Sequence, residues 1–378
     1  MMRRTYRTIA IAIPLLLVAG DVAYWRIAAE RLRTGYENWV ALRAAEGWRI
    51  SSGALSIGGW PRAATVAVPN LTLRHTGPAI PGDLDVASGG VTLSVSLLNP
   101  ADLRISMTGP THVQVGGLQD LVVTGEEDTV TVPLRQSGSY SVDLHASSLR
   151  IEPATGAWHA TAGLLNAHAT FPDGADIHQS QSGQSQSGQS RSGPSPSDQS
   201  PSGQSPSGQS QPAATFAVSA EAIALPAAIK WPLGTNISSL SLDGVLNGPL
   251  PSTRDVTPWA EAWRDGGGSL AITHLALGWG PLGLTGTATL ALDDQLQPMG
   301  SGNARIVGYA PTLDRLAAAG MLTKSAATAA KAVLSLMAGM SDPDQPSSVD
   351  VPLTLQYRTL SMRQVPLLRL PELDWPVR

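Results

Sequence analysis

The chain is predicted to be mainly β (α+β): an N-terminal transmembrane helix, then an extended antiparallel β meander in two halves, with a C-terminal helical pair packed on the sheet. Three observations predict it. The chain opens on an apolar run with a basic start, polarity alternates with period two from Trp48 onward, and Gly, Pro, Asn and Asp punctuate that alternation about every ten residues. Composition agrees, since Gly 38 and Pro 29 among 378 residues favour many turns over a long helical bundle. Cysteine is absent, which removes disulfides, thiolate nucleophiles and Cys-ligated metals. Net charge is -4 and no Lys/Arg-dense stretch occurs, so nucleic acid is set aside as a partner.

Residues 1–25 are read as a signal anchor. The 18 residues between Arg7 and Arg26 carry a single charge, Asp21. A helix of that length is about 27 Å long, close to the thickness of a bilayer core. Ile9, Ile11, Ile13, Leu15, Leu16, Leu17 and Val18 supply the apolar surface, and Tyr24 and Trp25 stand where interfacial aromatics belong. Arg3, Arg4 and Arg7 stay on the cytoplasmic side by the positive-inside bias, which sends everything after Trp25 across. A cleaved signal peptide ending near Val18-Ala19-Gly20 is the alternative, and it too exports the body. Over 26–47, Ala28, Ala29, Leu32, Tyr36, Trp39 and Val40 recur at steps of three and four, the pattern of an amphipathic helical stalk. Such a helix lies on a membrane or a partner, or packs as an ordinary helix on the domain that follows. The ordinary helix is the preferred reading.

The first β-rich half covers 48–178, with strands expected at 64–68, 71–75, 91–97, 103–107, 112–115, 121–124, 129–134, 139–144 and 148–152. Val91, Leu93, Val95 and Leu97 alternate with Thr92, Ser94 and Ser96, which gives one apolar face and one hydroxyl-bearing face. Residues 179–211 contain Ser 13 and Gln 9 with no aliphatic or aromatic side chain. This five-residue tandem repeat cannot bury a core and is read as a disordered excursion between the two halves.

The second half, 212–378, has strands expected at 215–222, 238–246, 269–277, 283–292 and 302–308, and a short helical piece at 258–264. Helices follow within 312–340, Thr312 capping 313–319 and Ser325 capping 326–338. Strands at 349–356 and 359–363 precede a tail spaced by Pro366, Pro371 and Pro376.

A search for reaction chemistry finds little. The seven histidines never fall within five residues of one another, and no H-E-x-x-H or G-x-S-x-G motif occurs. Gly266-Gly267-Gly268 leads into a strand, so it reads as a turn and not as a phosphate loop. No catalytic, cofactor-binding or metal-binding residue is assigned, and no cofactor is called for. Ten tryptophans against two phenylalanines, several beside Gly or Pro, are either interfacial anchors or, by preference, corner packing with the indole N–H bonded to backbone.

The anchor, the stretch ending Ala44-Ala45-Glu46-Gly47-Trp48 and the motif Gly58-Gly59-Trp60-Pro61 resemble the opening of an uncharacterised family of exported, membrane-anchored Gram-negative proteins, known only as a domain of unknown function. The likeness returns at Trp263-Arg264-Asp265-Gly266-Gly267-Gly268, at Trp279-Gly280-Pro281-Leu282 and at 313–320. That family more often has Phe or Tyr where Trp60 stands, and its final hairpin usually carries glycines where 357–363 has none. The candidate family-motif residues are therefore Gly59, Trp60, Pro61, Trp263, Gly267, Gly268, Trp279 and Pro281. The layout also looks like AsmA-type envelope proteins, whose long sheets are thought to hold lipid.

These resemblances imply a single-pass inner-membrane protein with a cytoplasmic N-terminus and a periplasmic body. The expected function is non-enzymatic, in cell-envelope biogenesis or lipid handling through an apolar β groove, with inner-membrane lipids as partners. The alternative is a periplasmic scaffold that binds other envelope proteins; an exported hydrolase is the third reading.

Overall fold

The computed structural model describes residues 2–76, 83–116, 119–134, 139–172, 212–251, 253, 255–338, 348–362 and 365–375, with backbone alone for 2–17, 337 and 365–368. The 179–211 repeat lies outside the described residues.

Helix α1, Met2–Ala45, runs unbroken through the expected boundary between anchor and stalk. Its end follows from Gly47, whose φ of 90° suits the left-handed exit from a helix and whose N–H bonds to the Ala44 carbonyl. Trp25, Ala29, Leu32 and Tyr36, spaced by three and four, form the face that meets the sheet: Ala29 is fully buried, and Leu32 and Tyr36 pack on the core of Val66, Val68 and Leu71. The ordinary packing helix expected for 26–47 is therefore what forms. Among the described residues, no helix is long and apolar enough to cross a membrane.

The strands are β1 Trp48–Ser51, β2 Ser56–Gly58, β3 Ala63–His75, β4 Leu84–Ser96, β5 Asp102–Val115, β6 Leu121–Thr124, β7 Thr129–Pro133, β8 Ser139–Pro153, β9 Ala160–Pro172, β10 Pro212–Ala224 and β11 Asn236–Asn247. Helix α2, Val256–Asp265, precedes β12 Ser269–Trp279, β13 Leu282–Leu292 and β14 Pro298–Val307. Helices α3, Tyr309–Ala318, and α4, Lys324–Ala338, come before β15 Ser348–Gln356, β16 Thr359–Met362 and β17 Val365–Arg369.

Every pairing is antiparallel and the described strands form one sheet. β1 and β2 share β3 as an interrupted edge, and β6 and β7 together fill the place between β5 and β8. From β8 onward each strand pairs with the next. β9 and β10 pair directly, Thr170 opposite Thr215, so the two predicted halves are one continuous sheet.

Three pairs of short expected strands merge into single long ones: 64–68 with 71–75 in β3, 103–107 with 112–115 in β5, and 139–144 with 148–152 in β8. In β3 and β8 the register with the next strand is unshifted across the interruption, whereas in β5 it slips by one residue against β4. Asn70, Ser148 and Ala222, the last in β10, have φ of 50°, 51° and 52°, and each sits where the apolar spacing changes from two to three. In β3 the apolar side is Val66 and Val68, then Leu71 and Leu73; in β8 it is Leu144 and Ala146, then Leu149 and Ile151. In β9 it is Ala160 and Ala162, then Leu165 and Ala167, and in β10 Val218 and Ala220, then Ile223. Without the residue at positive φ, the second half of each strand would present its apolar side chains to the opposite face.

Strand β9 was not expected, because its apolar side is mostly alanine, a weak strand former. The C-terminal helical pair does pack on the sheet: Tyr309 and Ala310 of α3, with Leu334 and Ala338 of α4, meet Val349 and Val351 of β15. The expected caps are corrected. Thr312 lies inside α3 and its hydroxyl bonds back to the Gly308 carbonyl, while Thr323, not Ser325, caps α4 by accepting the Ala326 N–H. The expected 359–363 strand is β16, reached through a tight turn without glycine in which Tyr357 and Arg358 both have positive φ, 50° and 62°.

Candidate functional site

Directly paired residues share a face of a sheet, so the registers define rows that cross it. One row runs Val66, Leu93, Ile105, Val130, Leu144, Ala167, Val218, Leu242, Leu275, Gly286, Ala304 and Val351. It contains no polar side chain. A parallel row, Ala146, Leu165, Ala220, Leu240, Leu277, Leu284, Ile306 and Val349, lies on the same face.

The opposite face is polar. Thr92, Ser106, Thr129, His145, Asn166, Ser219 and Ser241 form one of its rows, and its partners bond across strands. His145 meets Asn166 at 2.7 Å, Arg74 pairs with Asp85 at 2.7 Å, and Arg305 forms a two-pronged pair with Asp350 at 2.9 and 3.0 Å. That guanidinium holds the Asp350 carboxyl below its ordinary pKa.

Helices cover the apolar face at two places. α1 lies over β1, β3 and β4, and α3 with α4 lies over β14 and β15. Between them the large side chains Ile105, Val130, Leu144, Val218, Leu242 and Leu275 are only half-buried. From β4 to β13 there are eight strand intervals, about 40 Å of apolar sheet between two helical walls.

The polar face holds one arrangement with the outline of a catalytic relay. Asp143 Oδ1 lies 2.6 Å from His168 Nδ1, and His168 Nε2 lies 3.0 Å from Thr170 Oγ1. Both side chains of the Asp143–His168 pair are about half exposed, at 56% and 48%, and the amides around Thr170 belong to the β8–β9–β10 ladders, so among the described residues no pair of free N–H groups faces the hydroxyl to hold an oxyanion. Among the described residues, no group of three His, Asp or Glu side chains could hold a metal ion.

The family-motif residues are separated in space but share one kind of chemistry. Trp263 is 6% exposed, stacks on Trp259 and donates its indole N–H to the Asn247 carbonyl at 3.1 Å. A Cβ at Gly268 would lie 2.3 Å from that indole, and Gly267 has φ of 74°, which explains the glycines after Trp-Arg-Asp. Trp279 donates to the Gly234 carbonyl at 2.8 Å, with Pro281 just beyond in the turn to β13. Trp231 and Trp375 likewise bond the backbone of Pro226 and Leu296. Corner packing is thus the role of these indoles.

The Gly59-Trp60-Pro61 corner differs, because it joins the sheet to α1. Trp25 Nε1 donates to the Gly58 carbonyl at 3.0 Å, and Trp60 Nε1 donates to Asp21 Oδ2 at 2.9 Å. Of the predicted anchor residues, Val18 and Tyr24 are exposed at 50% and 44%; Ile9, Ile11, Ile13, Leu15, Leu16 and Leu17 belong to the α1 backbone, and their side chains lie outside the described residues. The sequence reading missed the continuity of the apolar rows across strands. The three-residue apolar steps at 68–71, 146–149 and 220–223 were the available signal.

Fold and surface together define a class: a single-sheet β protein with one polar and one apolar face, the apolar one walled by helices. The chain belongs to the family described as an uncharacterized protein conserved in bacteria (DUF2125), whose family model matches residues 25–371. Among curated proteins nothing matches, and among solved structures nothing matches.

Proposed function

We propose that this is a membrane-anchored envelope protein that holds lipid acyl chains against the apolar face of its sheet, without chemistry of its own. The observation that carries the reading is the unbroken apolar row from Val66 to Val351, left half-covered between α1 and the α3–α4 pair. Each methylene moved from water onto that surface contributes about 0.8 kcal/mol, so one acyl chain along the strip supplies ample driving force even after its ordering cost. The strip is the kind of surface that the AsmA resemblance implies. A single-pass anchor with the body in the periplasm is supported by the 18 residues between Arg7 and Arg26, with their one charge, and by Arg3, Arg4 and Arg7 before them.

The test is photocrosslinking in cells with a benzophenone side chain at Val218 or Leu242, compared with Ser219 or Ser241 on the other face. Lipid adducts, identified by mass spectrometry, are expected at the first pair alone. Absence of lipid at Val218 and Leu242, or equal labelling of both faces, overturns the proposal.

A further inference from the structure

Three neighbouring connections and the start of β8 lie at the end of the sheet where α1 first meets it. In an antiparallel meander the β2–β3, β4–β5 and β7–β8 connections share one end, and the start of β8 joins them. Each carries an exposed large apolar side chain: Trp60 at 47%, Leu98 at 93%, Leu134 at 49% and Tyr140 at 46%. Backbone bonds hold these connections together, since Leu97 N–H donates to the Arg62 carbonyl at 3.1 Å and Leu134 N–H to the Ala101 carbonyl at 2.6 Å. Exposed Arg62 adds a positive charge beside Trp60. At the opposite end, the described parts of the β5–β6 and β8–β9 connections have no exposed large apolar side chain, and the β10–β11 connection has one, Ile229 at 50%.

Helix α1 sets the height of this end. Asp21 and Trp25 are bonded to the Gly58–Trp60 corner, and the helix continues from Asp21 back to Met2, about 28 Å at 1.5 Å per residue. That length matches a bilayer core, so a helix crossing the membrane leaves no slack between the corner and the headgroups.

We infer that this end of the sheet, presenting Trp60, Leu98, Leu134 and Tyr140, docks into the lipid headgroup layer and holds the strands upright on the membrane. The inference rests on the anchor reading above. Aromatic and leucine side chains at the surface enter the headgroup and acyl boundary, and Arg62 meets anionic phosphate there. With the strands upright the apolar rows run parallel to the membrane, and the lowest of them, Val95, Leu103 and Val132, lies next to the bilayer, where an acyl chain can pass onto the apolar face without crossing water.

Because the chain contains no cysteine, single-cysteine variants carry a unique label. The full-length protein is reconstituted into phosphatidylethanolamine/phosphatidylglycerol vesicles, with a bimane dye at L16C, L98C, L134C or L42C and a phospholipid carrying a nitroxide near its headgroup. Leu42 is the comparison, since it is 64% exposed but lies at the other end of the packed part of α1. Circular dichroism confirms that each variant folds. Loss of emission is expected at positions 16, 98 and 134 and none at 42. If 98 and 134 remain as bright as 42 while 16 is quenched, the docking inference fails and the anchor stands. Quenching at 42 equal to that at 98 means a body lying flat and also overturns it. An unquenched 16 overturns the anchor reading and, with it, the inference.

Discussion

The indole N–H of Trp60 donates to the carboxylate of Asp21 at 2.9 Å, across 39 positions of sequence. With Trp25 bonded to the Gly58 carbonyl, this pair fixes where α1 leaves the sheet. The single charge in the apolar run thus has a partner in the body. Trp60→Phe keeps an aromatic side chain, though a smaller one, and removes the donor. It is expected to lower stability by about 1 kcal/mol, and to speed amide exchange over 18–29 more than elsewhere. Uniform exchange along α1 would contradict the role given to this bond.

The two faces of the sheet should respond differently to the same charge. Val218→Asp and Leu242→Asp put a carboxylate on the apolar strip, whereas Ser219→Asp and Ser241→Asp add it to a face already lined with polar side chains. The first pair is expected to abolish lipid recovery with the purified protein at unchanged circular dichroism, and the second to leave recovery intact.

Gly268 lies under the Trp263 indole. Gly268→Ala would force a Cβ to within 2.3 Å of the ring and is expected to cost about 2–3 kcal/mol in denaturant unfolding. Trp263→Phe, which loses the bond to the Asn247 carbonyl and part of the ring, should cost at least about 1 kcal/mol.

Asp128, between β7 and the break after β6, has a carboxylate oxygen with no hydrogen-bond partner, and burial pushes its pKa up. The folded state therefore holds this proton more tightly than the unfolded chain. Stability carries no penalty from Asp128 below the unfolded-state pKa of about 3.9, falls as pH rises through the window up to the folded-state value, and stays reduced above it. Asp128→Asn is expected to raise Tm at pH 7, with the gain shrinking as pH falls through the folded-state value toward about 3.9 and absent below it. A gain that persisted unchanged at pH 3 would rule out desolvation as the cause.

The 179–211 repeat connects strands that already pair, with Thr170 opposite Thr215. Replacing it by a five-residue Gly/Ser loop shortens the closure and is expected to add about 1–2 kcal/mol of stability, measured by urea unfolding, without altering the β-sheet signal.

Much of the architecture was legible because it is local. Val91, Leu93 and Val95 announce a strand by alternation alone, and α2 and the C-terminal helices follow from apolar spacing. The interruptions were misread because a polar residue such as Asn70, or the pair Ser147-Ser148, looks the same whether it ends a strand or sits within one at positive φ. Only the partner strands distinguish the two, by showing pairing on both sides of the interruption. Strand β9 was invisible for a related reason: its alanines gain their strand conformation from β8 and β10, not from their own propensity.

The sequence by itself determined that this protein is a turn-rich β chain with an apolar N-terminal run, no cysteine and no local catalytic motif, since period, composition and spacing are properties of neighbours along the chain. Tertiary structure alone decided that the described strands form one sheet, that the apolar side keeps to one face across the residues at positive φ, and that Asp21 meets Trp60. Those outcomes depend on register between residues tens of positions apart, where a shift of one residue would reverse every face.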